Sequence, residues 1–178
     1  MSRLFLNCLA VTLKHEGGIS DNPSDPGGLT NKGITLMTLS NYLSRPATRE
    51  DLLKISSEDV QNIYKKFYWD KLSLDKVPTE KAVLAFILFD QGVNTGVSRV
   101  QKRLSLLLKE SDYEKALAVA ISLPLPESLI PFYIESQKHY TSIVKSNASL
   151  GIFLGGWLNR INTYLTYFVN DDTLRKGC

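Results

Sequence analysis

Glu16 and Asp25 are the residues in this chain best placed to do chemistry. They stand in its oddest stretch, His15 to Thr35, which reads HEGGISDNPSDPGGLTNKGIT. Five glycines and two prolines fall within it, between segments that read as ordinary amphipathic helix. A carboxyl in the last turn of a helix meets the negative end of the macrodipole and unpaired carbonyls, which favours its protonated form. Asp25 precedes Pro26, which biases it toward an extended conformation, and Pro26-Gly27-Gly28 suits a tight turn. One carboxyl kept protonated and one kept ionised, in different environments, is the division of labour that glycoside cleavage uses. The plain alternative is a long turn shaped by glycine and proline, its aspartates solvated.

Other chemistries fail on spacing. His15-Glu16 does not open a zinc-protease helix, because Ile19 occupies the place of the second histidine. With His139 as the only other histidine, no metal site is expected. Pro23 and Pro26 exclude an EF-hand loop, and Gly27 to Thr35 lacks the Gly-Lys-Ser/Thr ending of a phosphate loop. No cofactor is implied.

The elements that must position these residues are helical. Leu4, Cys8, Val11 and His15 recur at helical spacing, and the helix should stop at Gly17-Gly18, leaving Glu16 in its last turn. The segment after it can hold at most a short hairpin. Further helices are expected at about 36–44, 57–71, 80–92, 97–109, 112–122, 127–146 and 149–169. Ser56 to Asp59 offers a capping box, Thr79 an N-cap, and Gly92, Gly96, Pro124 and Pro126 mark breaks. The expected fold is mainly α, with a short β-hairpin or irregular loop after the first helix. No Pro/Gly/Ser-rich linker divides the 178 residues, so one domain is expected.

Composition narrows the class of partner. Hydrophobic residues make up 43% of the chain, which suits a globular core, and the net charge of +3 is a mild basic excess. Its lysines and arginines occur in twos and threes at helical positions, so no nucleic-acid partner is expected. No apolar run approaches the ~20 residues of a membrane span, so no stable membrane insertion is expected. The N-terminus, interrupted by Asn7 and lacking a small-residue cleavage site, is not read as a signal peptide. The chain is expected to be made in the cytoplasm, and if it works outside something else must let it out. Cys8 reads as a small buried hydrophobe, with a bridge to Cys178 left open.

Glu16-Gly17-Gly18, Asn22-Pro23-Ser24-Asp25-Pro26-Gly27-Gly28, Thr30 and Gly33-Ile34 together resemble the signature of glycoside hydrolase family 108. The likeness continues in IYKKFYWDKL from Ile63, in FDQGVNTG from Phe89 and in GGWLNR from Gly155. The sequence departs from the pattern at Ile19, where an aromatic is common, and at Asp21-Asn22, whose order is reversed. The resemblance implies a lysozyme-like helical domain, with residues 1–95 as catalytic half and 96–178 as a peptidoglycan-binding half. It implies an N-acetylmuramidase, often a phage or prophage endolysin, acting on peptidoglycan glycan strands and reaching the cell wall through a holin, a secretion system or lysis; separately, a monomer is expected. Glu16 would be the general acid, Asp25 would stabilise the cationic centre or activate water, and Thr30 would hold that water. Tyr68, Asn94 and Trp157 are candidates for lining the saccharide cleft, each with a structural alternative: packing for the aromatics, a cap or turn for Asn94. Trp69 reads rather as core. A lytic transglycosylase and a non-catalytic peptidoglycan-binding module stay open.

Overall fold

The first helix, α1 (Arg3–Glu16), opens at Ser2, whose hydroxyl accepts a hydrogen bond from the Phe5 amide, and stops at Gly17 with φ 73°. The computed structural model describes residues 1–21 and 28–176. After α1 come three two-residue strands, β1 (Ile19–Ser20), β2 (Thr30–Asn31) and β3 (Ile34–Thr35), in an antiparallel sheet of order β1-β2-β3. Asn31 pairs with both Ile19 and Ile34, and Thr30 with both Ser20 and Thr35. Lys32 and Gly33, with φ 50° and 73°, form the two-residue β2–β3 loop. A hairpin turn of this length follows the strand twist when both central residues have positive φ.

The remaining helices are α2 (Leu36–Leu43), α3 (Arg49–Leu53), α4 (Ser57–Tyr64), α5 (Ala82–Thr95), α6 (Val97–Leu108), α7 (Tyr113–Ser122), α8 (Leu125–Ser146), α9 (Gly151–Val169) and α10 (Asp172–Lys176). The expected helix over 57–71 is one path with three pitches. Behind α4 lie a π-helical turn, Lys65–Trp69, and a 3-10 turn, Asp70–Leu72. Ser56 does cap α4, accepting from the Asp59 amide at 2.9 Å. Two expectations need correcting. Thr79 lies inside a short 3-10 turn that begins after Pro78 and caps nothing. Gly92 does not break a helix: α5 runs through it, and a Cβ there would lie 2.7 Å from Leu72 Cδ1. Glycine at 92 allows helix and turn to pack closely. The short helices α3 and α10 were not expected, although Thr48 and Asp51 form a full capping box around the start of α3.

Helix α5 is the axis of the fold. Every residue from Ala82 to Gly92 is buried, as befits a helix apolar on nearly all sides, and α1, α6, α8, α9 and α10 pack around it. Phe89 meets the edges of Phe5, Tyr64 and Trp69, with ring centroids 5.9, 6.2 and 5.4 Å apart. Trp69 is fully buried and donates its Nε1 hydrogen to Asp75 at 2.8 Å, so it is core. Cys8 is fully buried and free. Burial, with the Asp90 charge nearby, pushes its thiol well above the ordinary range. Cys178 lies outside the described residues. Among them, no helix is long and apolar enough to cross a membrane.

Phe89→Ala removes the ring on which three others converge. Urea unfolding should register a loss of about 3–5 kcal/mol, the usual cost of emptying such a site.

Candidate active site

A carboxylate on the central helix sets the geometry of the site. Asp90 has no solvent exposure. It accepts from Thr12 Oγ1 at 3.0 Å, from Arg160 Nε and Nη2 at 2.9 and 2.8 Å, and from the Tyr164 hydroxyl at 2.8 Å. Gln91 donates to the same Tyr164 oxygen at 2.9 Å. These donors reach Asp90 from α1 and α9, so the charge joins both helices to α5.

Arg160 continues to Glu16. Its Nη1 lies 2.7 Å from Glu16 Oε1, an ion contact off the donor axis, for Oε1 accepts no aligned hydrogen bond. The Glu16 side chain is 17% exposed against 0% for Asp90, so Glu16 is the one of the two that reaches solvent. Burial would lower the Arg160 pKa, but Asp90 and then Glu16 outweigh it and push it above the usual range. The C-terminal end of α1 is thus met by a guanidinium that α9 supplies.

The other walls come from the hairpin and the π-helical turn. A Cβ on Gly33 would lie 2.6 Å from the Tyr64 hydroxyl and 2.7 Å from Glu16 Oε2. Gly33 thus brings backbone against the carboxylate, in a conformation that also favours glycine. Tyr64 donates to the Lys32 carbonyl at 2.8 Å, which fixes the loop. Burial first and the Glu16 charge second push the hydroxyls of Tyr64 and Tyr68 above their ordinary pKa, which places both rings near that charge. The two rings are 5.5 Å apart. Wide turns of this kind recur at functional sites, and this one carries half-buried Tyr68 beside buried Trp69.

Of the residues singled out in the sequence, Glu16 and Tyr68 meet here. Thr30 stands in β2, on the hairpin that presses Gly33 against Glu16, opposite Ser20 and Thr35. Asp25 lies outside the described residues. Asn94 is in the last turn of α5 and donates to the Tyr140 hydroxyl at 2.5 Å. That ring stacks on Trp157 at 5.3 Å, so Asn94 and Trp157 share one cluster through Tyr140. Asp90, Arg160, Gly33 and Tyr64 were missed. Asp90 had a signal: it closes the apolar run VLAFILF, where a solvated carboxylate is out of place. A groove of about 740 Å³, walled by Leu6, Leu9, Leu13 and Ile19, runs along the adjoining face of α1. It stands beside Glu16, not around it. Among the described residues, no three of histidine, cysteine, aspartate and glutamate converge as metal ligands.

A helical body with a small sheet after its first helix, and a partly buried glutamate where the two join, defines a lysozyme-like fold. The solved structure of Brucella abortus SagA is similar to this chain, with a TM-score of 0.76 at 23% identity, covering 97% of this chain and 95% of that one. Residues 9–96 match the family model described as Glycosyl hydrolase 108, and that part of the chain, which carries Glu16, Thr30, Gly33, Tyr64, Tyr68 and Asp90, belongs to the family. No curated protein matches the chain. The protein is a glycoside hydrolase, and the substrate its family implies is peptidoglycan.

Arg160→Met leaves the Asp90 charge buried without its cation and should cost about 3–5 kcal/mol in chemical denaturation. Gly33→Ala should cost more than about 1 kcal/mol, from positive φ and the clash together. It should also lower glycan cleavage by up to about a hundredfold by displacing Glu16, more than the stability loss explains.

Proposed function

We propose that the protein is an endolysin-type N-acetylmuramidase that hydrolyses the β-1,4 bond between N-acetylmuramic acid and N-acetylglucosamine in peptidoglycan. Glu16 is the general acid that protonates the leaving glycosidic oxygen. The observation that carries this reading is the position of Glu16, at the end of α1, with one carboxyl oxygen on Arg160 and the other beside the Gly33 backbone. Asp90 is wholly buried and held by four hydrogen bonds. Of these two carboxyl groups, Glu16 is therefore the one that a bound glycan can reach.

Asp25 is the second carboxylate in this proposal, stabilising the oxocarbenium-like centre or activating water. Thr30 holds that water from β2. Tyr68 lines the cleft beside Glu16, with Asn94 and Trp157 as further sugar contacts. The half formed by residues 96–178 grips the glycan, and through Arg160 it also completes the site built by residues 1–95.

The test is a digest of purified peptidoglycan by the wild-type chain and by Glu16→Gln, with reducing ends and product masses read together. New N-acetylmuramic reducing ends that fall by about 10²–10⁴-fold in Glu16→Gln are the expected result. Products ending in 1,6-anhydro sugars would make the protein a lytic transglycosylase instead. Absence of cleavage on several wall types by folded wild-type protein would leave a binding module.

A further inference from the structure

Helix α6 carries Arg99, Lys102 and Arg103 and no acidic residue in its 12 positions. At spacings of three and four these cations share one helix face, where like charges repel. That face and His139 of α8 line a groove of about 360 Å³, and the one acid in its wall is Glu135. Glu135 pairs with Lys138 at 2.8 Å. Among the described residues, none of the three cations forms an ion pair with a carboxylate.

The groove is rich in donors. Arg99 Nη1 lies 3.2 Å from His139 Nε2. A guanidinium can only donate, so Nε2 accepts and the neutral ring carries its hydrogen on Nδ1. Burial first, then Arg99 and Arg103, lower the His139 pKa and keep the ring neutral. Arg103 is half-buried and held in place: its Nη1 donates to Gln91 Oε1 at 3.2 Å and to Ser136 Oγ at 3.0 Å. Its guanidinium carbon lies 5.3 Å from the centre of the Phe132 ring. Gln91 donates in turn to Tyr164, which donates to Asp90. One network therefore fixes both Arg103 and, through Arg160, Glu16. Taking the Arg103 charge partly out of water costs free energy that no protein carboxylate offsets.

We propose that the groove between α6 and α8 binds the free carboxylate of a peptidoglycan peptide stem, with Arg99, Lys102 and Arg103 as its donors. The inference rests on reading the chain as a peptidoglycan glycosidase, whose substrate carries short alanine-containing peptides along its glycan. A carboxylate fits the planar fork of a guanidinium, which can hold both oxygens at once. Leu106, 69% exposed, and Leu107 give the same groove an apolar wall that suits alanine methyl groups. Glu135 opposes any further negative charge, which favours a single carboxylate over a run of phosphates. Because one network holds Arg103 and Glu16, a stem seated here has a set position relative to the acid.

The test measures binding of an isolated stem tetrapeptide to the full-length chain by calorimetry; the peptide has no glycosidic bond and stays intact. Arg99→Gln and Lys102→Gln should each weaken binding about tenfold, the usual cost of one charge-assisted hydrogen bond. Both side chains are exposed, so Tm should hold. Amidating the carboxylates of the peptide should weaken binding at least as much. Lys145→Gln, exposed in the last turn of α8 and outside the groove, is the control and should change nothing. No binding, equal affinity for acid and amide, or unchanged affinity in both α6 variants would overturn the proposal, even if the wild-type chain cleaves peptidoglycan. Inorganic phosphate or duplex DNA bound more tightly than the stem, and lost in the same variants, would assign the groove to phosphate and overturn it as well. Carboxylate-dependent stem binding without any cleavage by wild-type protein would uphold the site while the hydrolase reading fails.

Discussion

Asp90 carries a charge into the middle of a helical core, and the surrounding structure is arranged to meet it. An unpaired carboxylate there would cost several kcal/mol even after relaxation. Donors must therefore arrive from neighbouring helices, and each helix that supplies one is fixed in rotation and depth. Thr12 fixes α1, while Arg160 and Tyr164 fix α9. One turn beyond Thr12 on α1 lies Glu16, and the same guanidinium that answers Asp90 reaches it. A requirement of folding, that a buried charge be paired, thereby sets where the exposed carboxylate stands.

The hairpin and the π-helical turn set the remaining freedom of Glu16. Its Oε2 is confined by backbone at Gly33, where any side chain would occupy the same space. Lys32 and Gly33 both need positive φ, a strained requirement for lysine, and the Tyr64 hydroxyl holds the Lys32 carbonyl in place. Tyr64 is in turn wedged into the Phe89 cluster. The position of the loop is thus traceable through one side chain to the centre of the core. A carboxyl held between two rigid elements keeps one orientation, and that orientation is fixed before anything binds beside it.

Much of this was legible in the sequence wherever the cause is local. Gly17 ends α1, Ser56 caps α4, and the Gly/Pro-rich stretch signals the one interruption of the helices; each depends on residues within a few positions. Glu16 was legible for the same reason, as an acidic residue against a helix end. What was not legible is long-range. Arg160 lies 70 residues beyond Asp90, and no local pattern ties GGWLNR to FDQG. Gly92 was misread because its cause is Leu72, a packing neighbour twenty positions earlier, and not the backbone of its own helix. The π-helical turn left one mark that was not read: Val60, Ile63, Tyr64, Phe67 and Tyr68 share one helical stripe, while Trp69 would fall on the opposite side of a regular helix and is nevertheless buried.

Helix α9 joins the two scales. Its inner stripe, Arg160 and Tyr164, is committed to Asp90, so its axial position is set by a buried ion pair. Its N-terminal half is under no such demand: Ile152 and Phe153 face solvent, and the two glycines sit in open space. A helix fixed by charge at Arg160 also holds its N-terminal half at a set distance from Glu16. The ion pair that solves the problem of Asp90 thus also sets the register of α9 against Glu16.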